Sequence, residues 1–104
     1  MKELKFNKEY YMPILAGEKT QTMRRNKKRV RPDDVVLARF NGTDFTLKLK
    51  ITKMGYKQMK YVNDDDAKRE GFESAEELKK ALTDIYPTID NLTRLYWYQF
   101  KCIE

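Results

Sequence analysis

The segment centred on Asn41-Gly42 constrains the fold of this chain more than any other sequence feature. Asn-Gly is the dipeptide that most favours a tight β-hairpin turn, because both residues tolerate the positive φ that such a turn requires. A β-branched run at residues 35–40 precedes it, and in residues 44–54 apolar side chains alternate with polar ones, beginning at Phe45. The sequence therefore predicts an antiparallel hairpin with one face buried and one face in water.

Shorter signals on either side of this hairpin predict an α+β fold. Strands are expected at residues 4–6, 20–25 and 94–103, the last of them central because it is apolar on both faces. A short helix is expected at 9–16 and ends at Gly17, and a second at 64–70 begins at Asn63 and ends at Gly71. A capping box at 74–77 opens a third helix, whose apolar face carries Leu78, Leu82 and Ile85. We expect a small barrel or strongly curled, mostly antiparallel sheet with helices at its ends.

Length and composition limit the classes of protein to which the chain can belong. Its 104 residues predict a single domain spanning 1–104, and no stretch reaches the roughly 20 apolar residues of a membrane span. The N-terminus lacks the apolar core of a signal peptide, so we expect a cytoplasmic protein with no membrane partner, and Cys102 as a buried thiol. The chain has no His, so we expect neither a metal site nor a cofactor, and any catalysis must use Lys, Thr, Glu, Asp or Tyr.

The positive charge of the chain is concentrated in its first half. Residues 1–60 carry 16 basic and 6 acidic side chains, a net charge of +10, whereas residues 61–104 carry 6 and 10, a net charge of −4. Such a concentration of positive charge attracts polyanions through counterion release. We therefore predict a nucleic-acid-binding loop; the alternative is a solvated loop that serves solubility. Its predicted contact residues are Arg25, Lys27, Lys28 and Arg29.

The segment 17–25 carries the residues most suited to binding one ligand. If residues 20–25 form a strand, Thr20, Thr22 and Arg24 share one face. Residues three apart on a regular strand face opposite sides, so Lys19 can converge with Thr22 only if Lys19 lies in the turn after Gly17. A Lys-Thr pair of this kind is also typical of a solvated strand end.

The run from Ile14 to Arg24, Ile-Leu-Ala-Gly-Glu-Lys-Thr-Gln-Thr-Met-Arg, resembles the signature of the ASCH domain, the activating signal cointegrator homology family. The resemblance covers nearly the whole chain, including residues 33–36, 77–80, 84–87 and 100–102. It implies a barrel related to the PUA domain, which binds RNA. It also implies a nucleoside or RNA as the binding partner.

Thr22 favours one branch of the family, because other members often carry Glu at this position. A small bacterial branch that hydrolyses N4-acetylcytidine to cytidine and acetate has Thr there. The resemblance then implies a catalytic set of Lys19, Thr22 and Glu70, with Glu73 as a competitor for the third place because one residue must be inserted before Glu77.

Amide hydrolysis without a metal requires a nucleophile, a base, a stabilised oxyanion and an acid for the leaving group. Thr22 could supply the nucleophilic hydroxyl, and Lys19 could act as its base once burial and Arg24 disfavour the ammonium form. Arg24, or backbone amides near Gly17, could bind the substrate carbonyl, while Glu70 serves the leaving nitrogen. Thr20 is an alternative nucleophile. A noncatalytic RNA-binding module is the alternative function, and it would not require the Lys19 amine to lie within hydrogen-bond reach of the Thr22 hydroxyl.

Overall fold

The structure is a computed structural model that describes residues 1–103; Glu104, the last residue of the predicted domain 1–104, lies outside them. Strands and helices follow one another in the predicted order of strand, helix, strands, helices and strand. The elements are β1 (Glu3–Phe6), α1 (Tyr11–Leu15), β2 (Gln21–Arg24), β3 (Val35–Phe40), β4 (Thr46–Gln58), α2 (Asp64–Glu70), α3 (Ala75–Ile85) and β5 (Arg94–Cys102). Short 3-10 turns at Lys8–Tyr10 and Met59–Tyr61 precede α1 and α2.

The five strands form one curled sheet in the order β1-β3-β4-β5-β2. All neighbours are antiparallel except β1 and β3. Within residues 1–103 the sheet is not closed into a barrel, and β1 and β2 are its two edges. The edges are bridged by a side chain, since Arg24 Nη2 donates a hydrogen bond to the Lys5 carbonyl at 2.7 Å. The α+β prediction is therefore confirmed in its curled-sheet form, with β5 in the interior of the sheet.

The β3–β4 hairpin is present, but its connection is longer than the tight turn predicted at Asn41-Gly42. Pairing ends at Arg39 and resumes at Thr46, and Gly42 has the positive φ of 76° that the turn requires. The Thr43 hydroxyl stabilises the longer connection by donating to the Phe40 carbonyl at 2.9 Å. Phe45 therefore lies in the connection and is 55% exposed, so the prediction that it begins the buried face was wrong.

Strand β4 continues through Gly55 to Gln58, beyond residue 54 where the predicted alternation ends. An ideal Cβ at Gly55 would lie 2.5 Å from Cζ2 of Trp97, its partner on β5. The glycine therefore allows the Trp97 ring to lie against the β4 backbone, and it does not interrupt the strand. This close approach is a contact between strands distant in the chain, which is why the local pattern could not predict it.

The two faces of the sheet are covered by separate apolar clusters. The inner face of the curl buries side chains from β1, β3, β4 and β5, with half-buried Cys102 at its margin rather than fully buried as predicted. The outer face packs against α2 and α3 through Leu78, Leu82 and their neighbours. Ile85 is 50% exposed, so the predicted apolar face of α3 ends at Leu82. Across residues 1–103, no helix has both the length and the apolar character to cross a membrane.

Candidate functional site

A cavity of about 120 Å³ opens at the seam between the edge strands β1 and β2. Residues of β1, β2 and α3 line it, together with Tyr10 and the end of α2. Of the five residues predicted to form the small-molecule site, four line this cavity: Lys19, Thr22, Arg24 and Glu70. Gly17 is exposed and lies outside the lining.

The turn after α1 directs Lys19 into the cavity. Gly17 has a φ of 79°, which L side chains rarely adopt, and the amides of Glu18 and Lys19 both donate to the Pro13 carbonyl, at 2.8 and 3.1 Å. Lys19 therefore precedes strand β2, as the convergence with Thr22 requires. Its side chain is only 4% exposed, and its Nζ lies 4.7 Å from the centroid of the Tyr10 ring.

Glu70 is the last residue of α2 and forms a buried ion pair with Lys19. The Lys19 Nζ donates to Glu70 Oε1 at 2.9 Å, and both side chains are 4% exposed. Within residues 1–103, the other carboxylate oxygen, Glu70 Oε2, is buried and has no hydrogen-bond partner. Burial raises the pKa of Glu70 above its usual value, and the adjacent Lys19 ammonium opposes this rise. The carboxyl group is thus able to take up a proton that an exposed glutamate would release.

The position of Glu70 follows from the two ends of its helix. Asn63 begins α2 with a capping box, and Gly71 ends it with a φ of 89°. The Thr20 amide donates to the Arg69 carbonyl at 2.7 Å, which fixes the end of α2 against the start of β2. Glu73, the competing residue, is exposed beyond the helix and does not line the cavity.

Arg24 orients Thr22 within the cavity. The Arg24 Nε donates to Thr22 Oγ1 at 3.0 Å, and the guanidinium carbon lies 4.9 Å from the Phe6 ring centroid. Burial lowers the pKa of Arg24, but a guanidinium remains charged under ordinary conditions. The Lys19 amine donates to Glu70, and no direct Lys19–Thr22 hydrogen bond is present in the part of the chain that the structure describes, so the contact expected for the hydrolase is not made in this structure. The two side chains share the cavity, and the Thr22 hydroxyl hydrogen is available for another acceptor.

A buried polar network lies on the side of β2 opposite Thr22, and the sequence patterns did not reveal it. Gln21, whose side chain lies opposite that of Thr22, donates to Asp66 Oδ1 at 3.2 Å and accepts from Gln99 at 3.3 Å. The Lys57 ammonium donates to Asp66 Oδ2 at 2.7 Å. The only sequence signal for Asp66 is its place in the capping box of α2, where its carboxylate also accepts from the Asn63 amide.

The predicted basic loop is anchored to the folded core. Arg25, Lys27 and Arg29 are exposed, whereas the Lys28 amide donates to the buried Tyr98 hydroxyl at 2.7 Å. Val30 is also buried. The loop borders a second, shallow depression with Lys2 and Met54, separate from the cavity that holds the Lys19–Glu70 pair. Among residues 1–103, no cluster of three or more His, Cys, Asp or Glu side chains could hold a metal ion.

Comparison with solved structures places this geometry in a known fold. The ASCH domain from Lactobacillus crispatus JV V101 superposes with a TM-score of 0.76 over 88% of this chain and 68% of its own, at 17% identity. The chain has the fold of an ASCH domain. The ASCH-type fold is shared with the hypothetical protein PH0355 (TM-score 0.77, 21% identity, covering 99% of this chain and 100% of that one). Protein EF3133 from Enterococcus faecalis V583 also has it (TM-score 0.79, 12% identity, covering 99% and 76%).

No family model and no curated protein matches the sequence, so the evidence for the fold comes from the solved structures. At 12–21% identity the solved structures establish the fold, and the function has to be argued from the residues that line the cavity.

Proposed function

We propose that this ASCH-type domain binds a modified nucleoside in the cavity at the β1–β2 seam and hydrolyses the amide of N4-acetylcytidine to cytidine and acetate. One observation carries the proposal: the buried Glu70 carboxyl has an oxygen without a hydrogen-bond partner among residues 1–103, in the same cavity as Lys19 and Thr22. A buried polar atom without a partner costs free energy that a bound ligand can recover. An exocyclic nitrogen of the substrate would supply the missing hydrogen-bonding group.

The Lys19–Glu70 pair supplies both a base and an acid through one internal proton transfer. Lys19 Nζ and Glu70 Oε1 lie 2.9 Å apart. A proton can pass from Nζ to Oε1 along this hydrogen bond while Nζ accepts the proton of the Thr22 hydroxyl. Glu70 can then donate that proton from Oε1 to the leaving nitrogen, while Oε2, which has no hydrogen-bond partner among residues 1–103, can accept the N4–H of the substrate.

The reaction then proceeds in two stages with Thr22 as the nucleophile. Thr22 Oγ1 attacks the acetyl carbon while its proton passes to Lys19, and the tetrahedral oxyanion collapses with cleavage of the C–N bond. The leaving N4 nitrogen takes its proton from Glu70, and the acetyl group remains as an ester on Thr22. Water then hydrolyses that ester: its oxygen adds to the acyl carbon, one of its protons goes to Thr22 Oγ1, and the acetic acid formed releases the other to solvent and leaves as acetate.

Arg24 supports the reaction in two ways. Its Nε hydrogen bond holds Thr22 Oγ1 in one rotamer, which reduces the entropy lost on reaching the transition state. Its fixed positive charge lies beside the reacting oxygen and stabilises the negative charge that develops on the acyl oxygen.

Acetate release from N4-acetylcytidine tests the hydrolysis directly. Purified protein is incubated with the free nucleoside, and acetate and cytidine are followed by proton NMR. We expect equal amounts of the two products from the wild type and no turnover from Lys19→Ala. Turnover by the wild type no faster than by Lys19→Ala would eliminate the hydrolase proposal.

The anchored basic loop favours a second candidate function, a noncatalytic RNA-binding module that uses the same cavity and this loop. Hydrogen bonding of the Lys28 amide to Tyr98 and burial of Val30 hold the loop in a defined shape, which a loop serving only solubility does not need. A preorganised cationic loop loses less conformational entropy on binding a polyanion.

Salt dependence tests this second function. Affinity for a single-stranded RNA should fall as salt rises, and the triple variant Lys27→Gln, Lys28→Gln, Arg29→Gln should reduce the slope of log K against log salt by about two. The matched control neutralises three cations of the acidic half, Lys68, Arg69 and Lys80. Binding that does not respond to salt, or an equal effect of both triple variants, would contradict a role for the loop.

A further inference from the structure

Two exposed tyrosines form an aromatic surface at the end of the β4–β5 pair, outside both the cavity and the basic loop. Tyr56 is 62% exposed and Tyr61 is 61% exposed. Together with Lys57, Gln58, Leu92 and Arg94, they border a single shallow depression. Neither tyrosine belongs to an apolar cluster of the core, although Tyr56 contacts the Tyr96 ring edge to face, with centroids 6.2 Å apart.

Each of these tyrosines lies beside a cation that has no acidic partner among residues 1–103. The Arg94 guanidinium carbon lies 4.3 Å from the Tyr56 ring centroid, and Lys60 Nζ lies 5.1 Å from the Tyr61 ring centroid. Within residues 1–103 neither Arg94 nor Lys60 forms an ion pair, whereas Lys57 is engaged by Asp66. The surface therefore combines two rings, each with a cation over one face and more than half exposed, with positive charge that no carboxylate of residues 1–103 neutralises.

The strand register connects this surface to the cavity. Tyr56 pairs with Tyr96 across β4 and β5, and Tyr96 pairs with Arg24 across β5 and β2. Directly opposed residues lie on the same face of a sheet, so one row runs from Arg24 in the cavity lining through Tyr96 to Tyr56. The next row, Thr22–Tyr98–Met54, ends at Met54 beside the basic loop.

We propose that Tyr56, Tyr61 and Arg94 form a base-stacking site for a single-stranded nucleic acid. Aromatic rings stack on any base, Arg stacks and contacts phosphate, and the pairing of the two is typical of single-strand binding surfaces. Charge favours this occupant over a second copy of the chain, because a symmetric contact would bring the Arg94 and Lys60 charges of both copies together. This inference does not depend on amide hydrolysis in the cavity.

Fluorescence anisotropy with a labelled single-stranded decauridine RNA tests the site. We expect Tyr56→Ala and Tyr61→Ala each to weaken binding about tenfold, within the range that loss of one base–aromatic stack produces. Tyr56→Phe keeps the ring and should bind as the wild type does. Phe45→Ala is the matched control, because Phe45 is an exposed aromatic in the β3–β4 connection and should leave binding unchanged.

A duplex RNA of equal length separates stacking from general charge attraction. Bases in a duplex are already stacked, so Tyr56→Ala should leave duplex binding unchanged while the triple basic-loop variant weakens it. Any of three results would overturn the proposal. They are no binding of decauridine by the wild type, equal effects of Tyr56→Ala and Phe45→Ala, and equal effects of Tyr56→Ala on single strand and duplex. Self-association in sedimentation that disappears in Tyr56→Ala without any effect on RNA would overturn it as well. Acetate release from the free nucleoside reports on the cavity separately, so the two proposals fail independently.

Discussion

Replacing Lys19 with alanine is expected to lower the free energy of unfolding by about 3–5 kcal/mol near pH 7, besides abolishing catalysis. The loss is large because Lys19 is the ion-pair partner of Glu70 and both side chains are 4% exposed. Without the ammonium, the buried carboxylate loses the charge that pairs with it. Thermal or urea unfolding, followed by circular dichroism, measures the change.

The destabilisation in Lys19→Ala should depend on pH, and the raised pKa of Glu70 sets the direction of that dependence. Burial already raises the pKa of Glu70 above its usual value of 4.5, and removing the Lys19 ammonium raises that pKa further. The pKa of Glu70 is higher in the folded state than in the unfolded state. At pH values between the two, the unfolded state binds fewer protons than the folded state, so the free energy of unfolding falls as pH rises. Lys19→Ala should therefore approach wild-type stability near pH 4.5 and lose it progressively above.

A second substitution at Glu70 distinguishes the unpaired charge from a general packing defect. The double variant Lys19→Ala, Glu70→Gln has no buried carboxylate, so it should recover much of the stability at pH 7 while remaining inactive. The control is Arg39→Ala at the exposed Arg39–Glu3 pair, where about 0–1 kcal/mol is expected. A loss in Lys19→Ala that is constant with pH and unrelieved by Glu70→Gln would contradict the account of this pair.

Replacing Thr22 with valine is expected to reduce the rate of acetate release at least about 10³-fold, because valine has nearly the shape of threonine but no hydroxyl. The same change removes the acceptor of the Arg24 Nε hydrogen bond, so about 1–3 kcal/mol of stability should be lost as well. Steady-state kinetics by NMR, on protein shown to be folded by circular dichroism, separates the two effects.

Two further threonine variants define the nucleophile. Thr22→Ser keeps a hydroxyl and should retain measurable turnover, whereas Thr20→Val decides whether the neighbouring hydroxyl takes part, since Thr20 does not line the cavity. Mass spectrometry of a quenched reaction should find the acetyl ester on the peptide containing Thr22. An ester on Thr20 would assign the nucleophilic role to that residue. Full activity in Thr22→Val would exclude Thr22 as the nucleophile.

Local sequence patterns predicted the parts of the site that depend on neighbouring residues. The positive φ at Gly17, the alternation that puts Thr22 and Arg24 on one face of β2, and the capped helix that ends at Gly71 all follow from backbone conformation over a few residues. These preferences act without regard to the rest of the chain, so they can be inferred from one sequence.

Contacts between distant segments were not predictable in the same way. Gly55 looked like a strand end because the pattern holds no sign of Trp97, which approaches from β5. The sequence pattern placed Asp66 in the acidic first turn of a helix and Gln21 in a strand, and it gave no sign that their side chains form a hydrogen bond inside the protein. Glu70 was named through the family resemblance and not through any local signal.

By itself, the sequence determined the order of strands and helices, the turn that places Lys19 ahead of β2, and the concentration of positive charge in the first half of the chain. Only the tertiary structure decided that Lys19 and Glu70, 51 residues apart, form a buried pair, that the sheet stays open at β1 and β2, and that Tyr56 remains exposed beside Arg94. The physical reason is that local preferences act along the chain, whereas burial and charge pairing depend on which distant segments the curled sheet brings together.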